Sequence, residues 1–212
     1  MPTTTSTGPI APTMGRVTDG FVAGLVLAAG GSRRLGRPKQ LLPYGEATLL
    51  DHTLATAREC GFDQLLVALG GSAVEVRERV DLSGAQVVVN EAFGEGCSSS
   101  IAAAMDALDP RADVLVLLLG DQPGVAPLAI RALLDRRGGA PLVACRYDDG
   151  VGHPVAFGSA MFGSLRSLHG DKAVWRLLEQ HADDVAEVRV PGVVPADVDT
   201  WADYEALPAA RR

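Results

Sequence analysis

The sequence predicts an α/β fold, a single domain with a mostly parallel, doubly wound sheet flanked by helices. Three observations predict it. Apolar runs of strand length alternate with segments whose apolar residues recur at helical spacing, and short loops join them. Two of the most apolar runs, Gly24–Ala29 and Val114–Leu119, read as buried strands and break into glycine, at Gly30-Gly31 and at Gly120. In open α/β sheets this carboxyl end of a strand is where ligands bind. Finally, 212 residues with 47% hydrophobic content suffice for one sizeable domain that buries roughly 70% of its unfolded surface.

The elements follow in order. Gly24–Ala29 is the first strand. After it, Pro38 and Pro43 are expected to keep the chain extended. Thr48 can cap a helix that runs to about Cys60 and stops at Gly61, with Leu49, Leu50, Leu54 and Ala57 on one face. Gln64–Leu69 reads as a strand, Ala73–Val80 as a short charged helix and Gln86–Asn90 as a strand. Ser98–Leu108 is a small-residue helix, Val114–Leu119 a strand, Ala126–Arg137 a helix and Leu142–Arg146 a strand. Beyond Tyr147 the pattern loosens. Gly152–Phe157 reads as a strand, Ser159–Leu168 and Asp171–His181 as helices, Val185–Val190 as a strand and Ala202–Ala206 as a last short helix. This part is expected to extend the same sheet.

Residues 1–20 are rich in Thr, Pro and Gly, without the basic start and apolar core of a signal peptide. They read as a disordered tail, with Met14 an alternative start, leaving residues 21–208 as the domain. No apolar run reaches the length of a membrane span. The net charge of −7 gives no general attraction for nucleic acid or an anionic membrane. Three widely spaced cysteines, Cys60, Cys97 and Cys145, fit neither a zinc site nor a disulfide framework and suit a reducing cytoplasm.

Against that acidic background one basic stretch stands out. Leu27, Ala28 and Ala29 lead into Gly30, Gly31 and Ser32, followed by Arg33, Arg34, Arg37 and Lys39. Glycines admit backbone N–H groups close to a ligand, and cations neutralise phosphate charge. Arginine gives a two-pronged grip and lysine a mobile point charge. The stretch is not a Walker loop, because Arg37-Pro38 follows Gly36 where Lys-Ser/Thr is required. Nor is it a dinucleotide fingerprint, which opens straight into a helix.

Acidic residues supply the complement. Asp121, in Gly120-Asp121-Gln122-Pro123, stands at the carboxyl end of an apolar strand. It suits either a Mg²⁺ ligand, as Mg²⁺ takes one or two carboxylates beside substrate phosphates, or a turn or helix cap. In Asp197-Val198-Asp199-Thr200, strand-like alternation would point both aspartates to one side, and either can complete a metal site, while Asp199 or Thr200 can instead cap a helix at Trp201. Ser98, Ser99 and Ser100, at a helix start after Gly94-Glu95-Gly96-Cys97, offer hydroxyl and N–H groups to a polar ligand or to capping alone. Cys97 has no histidine beside it in sequence and is not read as a nucleophile.

Leu27–Lys39 resembles the signature loop of the MobA-like nucleotidyltransferases. With Gly120-Asp121-Gln122-Pro123, Gly152-His153-Pro154, Gly170-Asp171-Lys172 and Asp197–Thr200, the resemblance runs from about Gly20 to Leu207. It implies a Rossmann-like fold of the GT-A type and transfer of a nucleotidyl group from an NTP to a phosphorylated acceptor, with release of pyrophosphate. By the same resemblance Lys39 meets the triphosphate, with Arg34 beside it, and Asp121 and Asp199 hold Mg²⁺. Leu27–Arg33, Ser98 and Ser100 contact the nucleotide, and His153 and Lys172 face the acceptor. The motif set is most similar to that of the molybdenum cofactor cytidylyltransferases, which implies CTP and molybdopterin as substrates and a molybdoenzyme as partner. Guanylyl-transferring relatives carry Gly where this chain has Ala29, and the added methyl disfavours the larger purine.

Overall fold

The computed structural model describes residues 20–208; the expected tail lies outside them except for Gly20. Strands β1 (Phe21–Ala28), β4 (Gln64–Leu69), β5 (Gln86–Val89), β6 (Ala112–Leu119), β7 (Leu142–Arg146), β8 (Val151–Gly158) and β9 (Val185–Arg189) form one sheet in the order β5-β4-β1-β6-β8-β7-β9. All neighbours are parallel except at β8, which runs antiparallel to both β6 and β7. A small hairpin, β2 (Pro43–Tyr44) with β3 (Ala47–Thr48), stands apart from the sheet.

Alternation along β1 assigns its side chains to opposite faces. Val22 and Val26 join one core with Leu50 and Leu54 of α1 (Leu49–Glu59), Val76 of α2 (Ala73–Arg79), and Ile130 and Leu133 of α4 (Pro127–Asp135). Ala23 and Leu25 join the other, with Ile101 and Met105 of α3 (Cys97–Asp106), Leu165 of α5 (Phe162–Arg166), and Val174 and Leu177 of α6 (Ala173–Gln180). Both faces are thus covered, as a doubly wound sheet requires.

Two expectations need correction. The chain after Pro38 is not extended throughout: Leu41 N–H donates to Pro38 O and Lys39–Leu41 forms a 3₁₀ turn. Pro38 itself is extended (φ −59°, ψ 116°), so the proline starts the turn rather than forbidding it. The helix expected over Ser159–Leu168 divides into a 3₁₀ turn, Ser159–Met161, and the short α5.

Helix ends set the stage for the site. Thr48 caps α1 and Thr200 caps α7 (Trp201–Ala206), each in a reciprocal box with the aspartate three residues on, Asp51 and Asp203. Thr200, not Asp199, is therefore the cap, which leaves the Asp199 carboxylate free for other work. Leu35, Leu42, Leu49, Val198 and Leu207 form a third, small core. It fastens the segment after β1 to the segment before α7.

Strand order places the crevice. From β1 the chain moves outward to β4 and β5, then returns to β6 on the other side of β1. The carboxyl ends of β1 and β6 thus flank a topological switch point. Because β8 is reversed, with Leu117 paired to Val155 and Val114 to Gly158, its start at Val151–His153 lies beside the carboxyl end of β6.

Candidate active site

At that edge opens a cavity of about 510 Å³, lined by Leu27–Arg34, Lys39, Gln40, Phe93, Cys97, Ser100, Asp121, Asp171 and Asp199 among others. The loop after β1 folds on itself. Leu35 and Gly36 N–H donate to Ser32 O, and Lys39 N–H donates to Ser32 Oγ at 2.9 Å. Ser32 takes φ 49°, a left-handed conformation that costs a non-glycine residue about 1–3 kcal/mol and is characteristic of functional loops. Buried Gln40 clamps the loop from beneath, its Nε2 donating to Ala28 O (2.6 Å) and Gly30 O (3.1 Å).

The charged centre is a lysine between two carboxylates. Lys39 Nζ donates to Asp121 Oδ2 at 2.5 Å and to Asp199 Oδ1 at 2.9 Å. Burial disfavours the ammonium, but Asp121 first and Asp199 second outweigh it and hold its pKa above the ordinary lysine value. Arg34 Nη2 stands 3.4 Å from Asp199 Oδ2, mostly exposed, and Arg33 joins it in the lining. Backbone fixes the arrangement: Gly120 N–H donates to Leu27 O (2.8 Å), tying β6 to β1, and Val198 N–H donates to Asp121 O (3.2 Å), tying the Asp197–Asp199 segment to the end of β6.

This arrangement tests the fit of a metal. Asp121 and Asp199 reach the same ammonium, so their oxygens converge on one point and can hold one cation. Among the described residues no cluster of three or more His, Cys, Asp or Glu side chains forms. Two converging carboxylates are the donor set that suits Mg²⁺, which fills its remaining positions with substrate phosphates and water. The pair fits the ion.

Other expected residues separate. Asp197 and Asp199 do not face one way. Val198 between them is fully buried; Asp199 enters the first cavity, whereas Asp197 lines a second, of about 300 Å³, with Gln122, His153, Trp175 and Val194–Ala196. Partial burial, then the nearby Asp121 charge, raises the Asp197 pKa. Ser100 lines the first cavity and its hydroxyl accepts from Asn90 Nδ2 at 2.9 Å, but Ser98 is buried outside both linings, because the α3 register turns it into the fold. Lys172 is exposed outside both cavities. Gly170 (φ 80°) turns the chain so that Asp171 reaches the first cavity instead. Gly96 (φ 104°) lets this turn approach, since a Cβ there would stand 2.7 Å from Asp171 Oδ1. Cys97 lines the first cavity; burial pushes its thiol up, and Sγ donates to Asp171 O at 2.8 Å.

His153 is 4% exposed, and burial alone pushes its imidazole down to about 4, so it is neutral near pH 7. Its ring meets Trp175 edge-on, centroids 5.2 Å apart. The segment carrying Val194–Asp197 closes over Gly152, where a Cβ would stand 2.7 Å from Val194 Cγ1 and 3.3 Å from Tyr147 Cε2. Gly152→Val is expected to push that segment off the second cavity. That overpacking is expected to cost about 1–3 kcal/mol of stability, which denaturant unfolding of the variant beside wild type will check.

Gln40, Phe93, Asp171, Trp175 and Gln122 also line these cavities. Of these, only Gln122, inside Gly120–Pro123, and Asp171, beside Lys172, lie within the sequence motifs.

A parallel sheet with one reversed strand, a basic glycine loop at its switch point and two carboxylates converging there define an α/β domain of the nucleotidyltransferase class. The chain belongs to the MobA-like NTP transferase domain family, whose model matches residues 24–185. It is similar to the crystal structure of Rv0371c from Mycobacterium tuberculosis H37Rv, with 50% identity over 89% of this chain and 97% of that one and a TM-score of 0.84. A second structure of Rv0371c, a complex with manganese, matches at 48% identity over 87% of this chain and 96% of that one, with a TM-score of 0.79. Nicotine blue oxidoreductase of Paenarthrobacter nicotinovorans is 38% identical over 53% of this chain, and the chain spans 55% of its length. No helix among the described residues is long and apolar enough to cross a membrane.

Proposed function

We propose that the protein is a Mg²⁺-dependent nucleotidyltransferase that moves CMP from CTP to the phosphate of molybdopterin and releases pyrophosphate. The observation that carries the reading is Lys39 Nζ held between Asp121 and Asp199 at the mouth of the glycine loop. Family membership and the manganese complex of Rv0371c support a divalent ion at such a site.

The chemistry is an in-line displacement. An acceptor phosphate oxygen, already ionised near pH 7, bonds to the α-phosphorus of the NTP. The bond from that phosphorus to the α–β bridging oxygen breaks, and pyrophosphate leaves with the electron pair. No strong general base is needed. The loop Ala29–Ser32 offers N–H groups to the triphosphate, and Lys39 and Arg34 stabilise the charge that develops on the leaving group. Asp121 and Asp199 would hold Mg²⁺, which would supply charge neutralisation on the phosphate oxygens.

The test is pyrophosphate release by the purified protein with Mg²⁺, molybdopterin, and CTP or GTP in parallel. Release with CTP alone is expected. Release with GTP alone would keep the reaction and overturn the nucleotide. Silence with both while NTP still binds would favour another phosphorylated acceptor, such as a sugar phosphate, or a non-catalytic nucleotide-binding role beside a molybdoenzyme. Ala29→Gly removes the methyl that disfavours a purine and is expected to raise kcat/KM for GTP relative to CTP by roughly 10-fold, the scale of one methylene-sized difference in a pocket. An unchanged GTP/CTP ratio would remove Ala29 from nucleotide selection.

A further inference from the structure

The second cavity holds a polar set that the transfer chemistry does not use. Gln122 is 3% exposed, and its Nε2 donates both to Pro195 O (3.0 Å) and to Asp197 Oδ1. Those two acceptors fix the amide orientation and pin the carboxylate against the cavity wall. Only one Asp197 oxygen is engaged this way. The other has no hydrogen-bond partner among the described residues, and Asp197 lines the cavity with the Trp175 ring and the His153 imidazole. The cavity adjoins the phosphate site: Leu119 lines both, and Gln122 follows Asp121 directly. At about 300 Å³ it is at the small end of ligand sites.

A carboxylate with a free oxygen accepts hydrogen bonds and cannot donate them. Set in a wall with an aromatic ring and a histidine, it suits a planar nitrogen heterocycle that presents N–H groups at its edge. A ligand edge bearing carbonyl oxygen there would set two acceptors against each other, and a buried acceptor left unpaired is costly. We propose that Asp197, positioned by Gln122, is a specificity-determining residue for the acceptor and not a metal ligand. It takes the amino and ring N–H edge of a planar, uncharged nitrogen heterocycle seated beside Trp175. This rests on the reading of the site as a nucleotidyltransferase acting on molybdopterin, to which it adds the residue that selects the acceptor ring.

The probes are pterin (2-amino-4-oxopteridine) and lumazine (2,4-dioxopteridine), which share N3–H and differ beside it, where pterin bears an amino donor and lumazine a carbonyl acceptor, and at N1, an acceptor in pterin and an N–H donor in lumazine. Binding is measured by calorimetry on the full chain without NTP. Wild type is expected to bind pterin about 10-fold or more tightly than lumazine, the scale of a hydrogen-bonding edge matched against one mismatched. Asp197→Asn keeps an oxygen for Gln122 and places an NH₂ where the free oxygen was, so the preference should vanish or reverse. Equal binding of the two probes by wild type, binding of neither at millimolar concentration, or an undiminished preference in Asp197→Asn would each overturn the proposal, and the first two need no variant. Mn²⁺ binding followed by electron paramagnetic resonance with CTP present gives a separate readout. A loss of metal affinity in Asp197→Asn matching that of Asp199→Asn would make Asp197 a metal ligand and also overturn it. Pyrophosphate release separates this from the broader reading: turnover without ring preference sinks the selection by Asp197 alone, whereas ring preference without turnover sinks the transfer reaction and leaves the selection standing.

Discussion

Asp121→Asn is expected to lower kcat for pyrophosphate release by roughly 10²–10³-fold or more, the scale seen when a group that stabilises transition-state charge is removed. The carboxylate is one of two that converge on a single cation, and the amide keeps its shape while losing its charge. Its main protein partner is Lys39, and the two side chains are 16% and 13% exposed. The substitution leaves Lys39 paired with Asp199 at 2.9 Å, so no buried charge is stranded. Thermal denaturation should therefore shift little while turnover collapses. The measurement is kcat and melting temperature on the same preparation, with Mn²⁺ affinity as the third reading. Full activity would remove Asp121 from the reaction, and a collapse of the melting temperature would assign its role to folding.

Lys39→Met should act in two opposite directions. With the ammonium gone, the triphosphate loses a charge partner, and kcat/KM for the NTP should fall by roughly 10²-fold, as for loss of a charged hydrogen bond that strengthens in the transition state. In the absence of NTP, however, the two carboxylates lose the cation that neutralises them. Their mutual repulsion then favours a divalent ion, and Mn²⁺ should bind the free variant more tightly than the free wild type. The pairing accounts for both effects, since Lys39 occupies the point on which Asp121 and Asp199 converge. Titration of Mn²⁺ with and without CTP reads both directions. A variant that binds Mn²⁺ more weakly without NTP would contradict the idea that lysine and metal compete.

What the sequence made legible follows from where its signals are local. Strands buried on both faces announce themselves by composition, so β4 and β7 have the expected bounds. Thr48 and Thr200 cap helices because a threonine three residues before an aspartate is a local pattern. The reversal of β8 was not legible, because direction depends on which strand lies alongside, and Gly152–Phe157 reads the same either way. In the site, the structure brings the loop, Asp121 and Asp199 together around Lys39. The split between Asp197 and Asp199 was not legible, since it depends on Val198 finding a core made with Leu35, Leu42, Leu49 and Leu207. Ser98 and Lys172 went astray for the same reason. A motif says which residues are near a site, whereas helix register and a turn at Gly170 decide which of them enters it.

The third small core has a consequence for how the protein comes into being. It joins the segment after β1 to the residues around Val198, and the cation-holding pair is completed only when this happens. Asp121 and Asp199 lie 82 and 160 residues beyond Lys39. A domain folds as a unit, so the pair of carboxylates around Lys39 forms only when these distant parts of the chain close on Val198. Asp199 rides on the segment whose Asp197 lines the second cavity, so a substitution that loosens this small core is expected to disturb both cavities together.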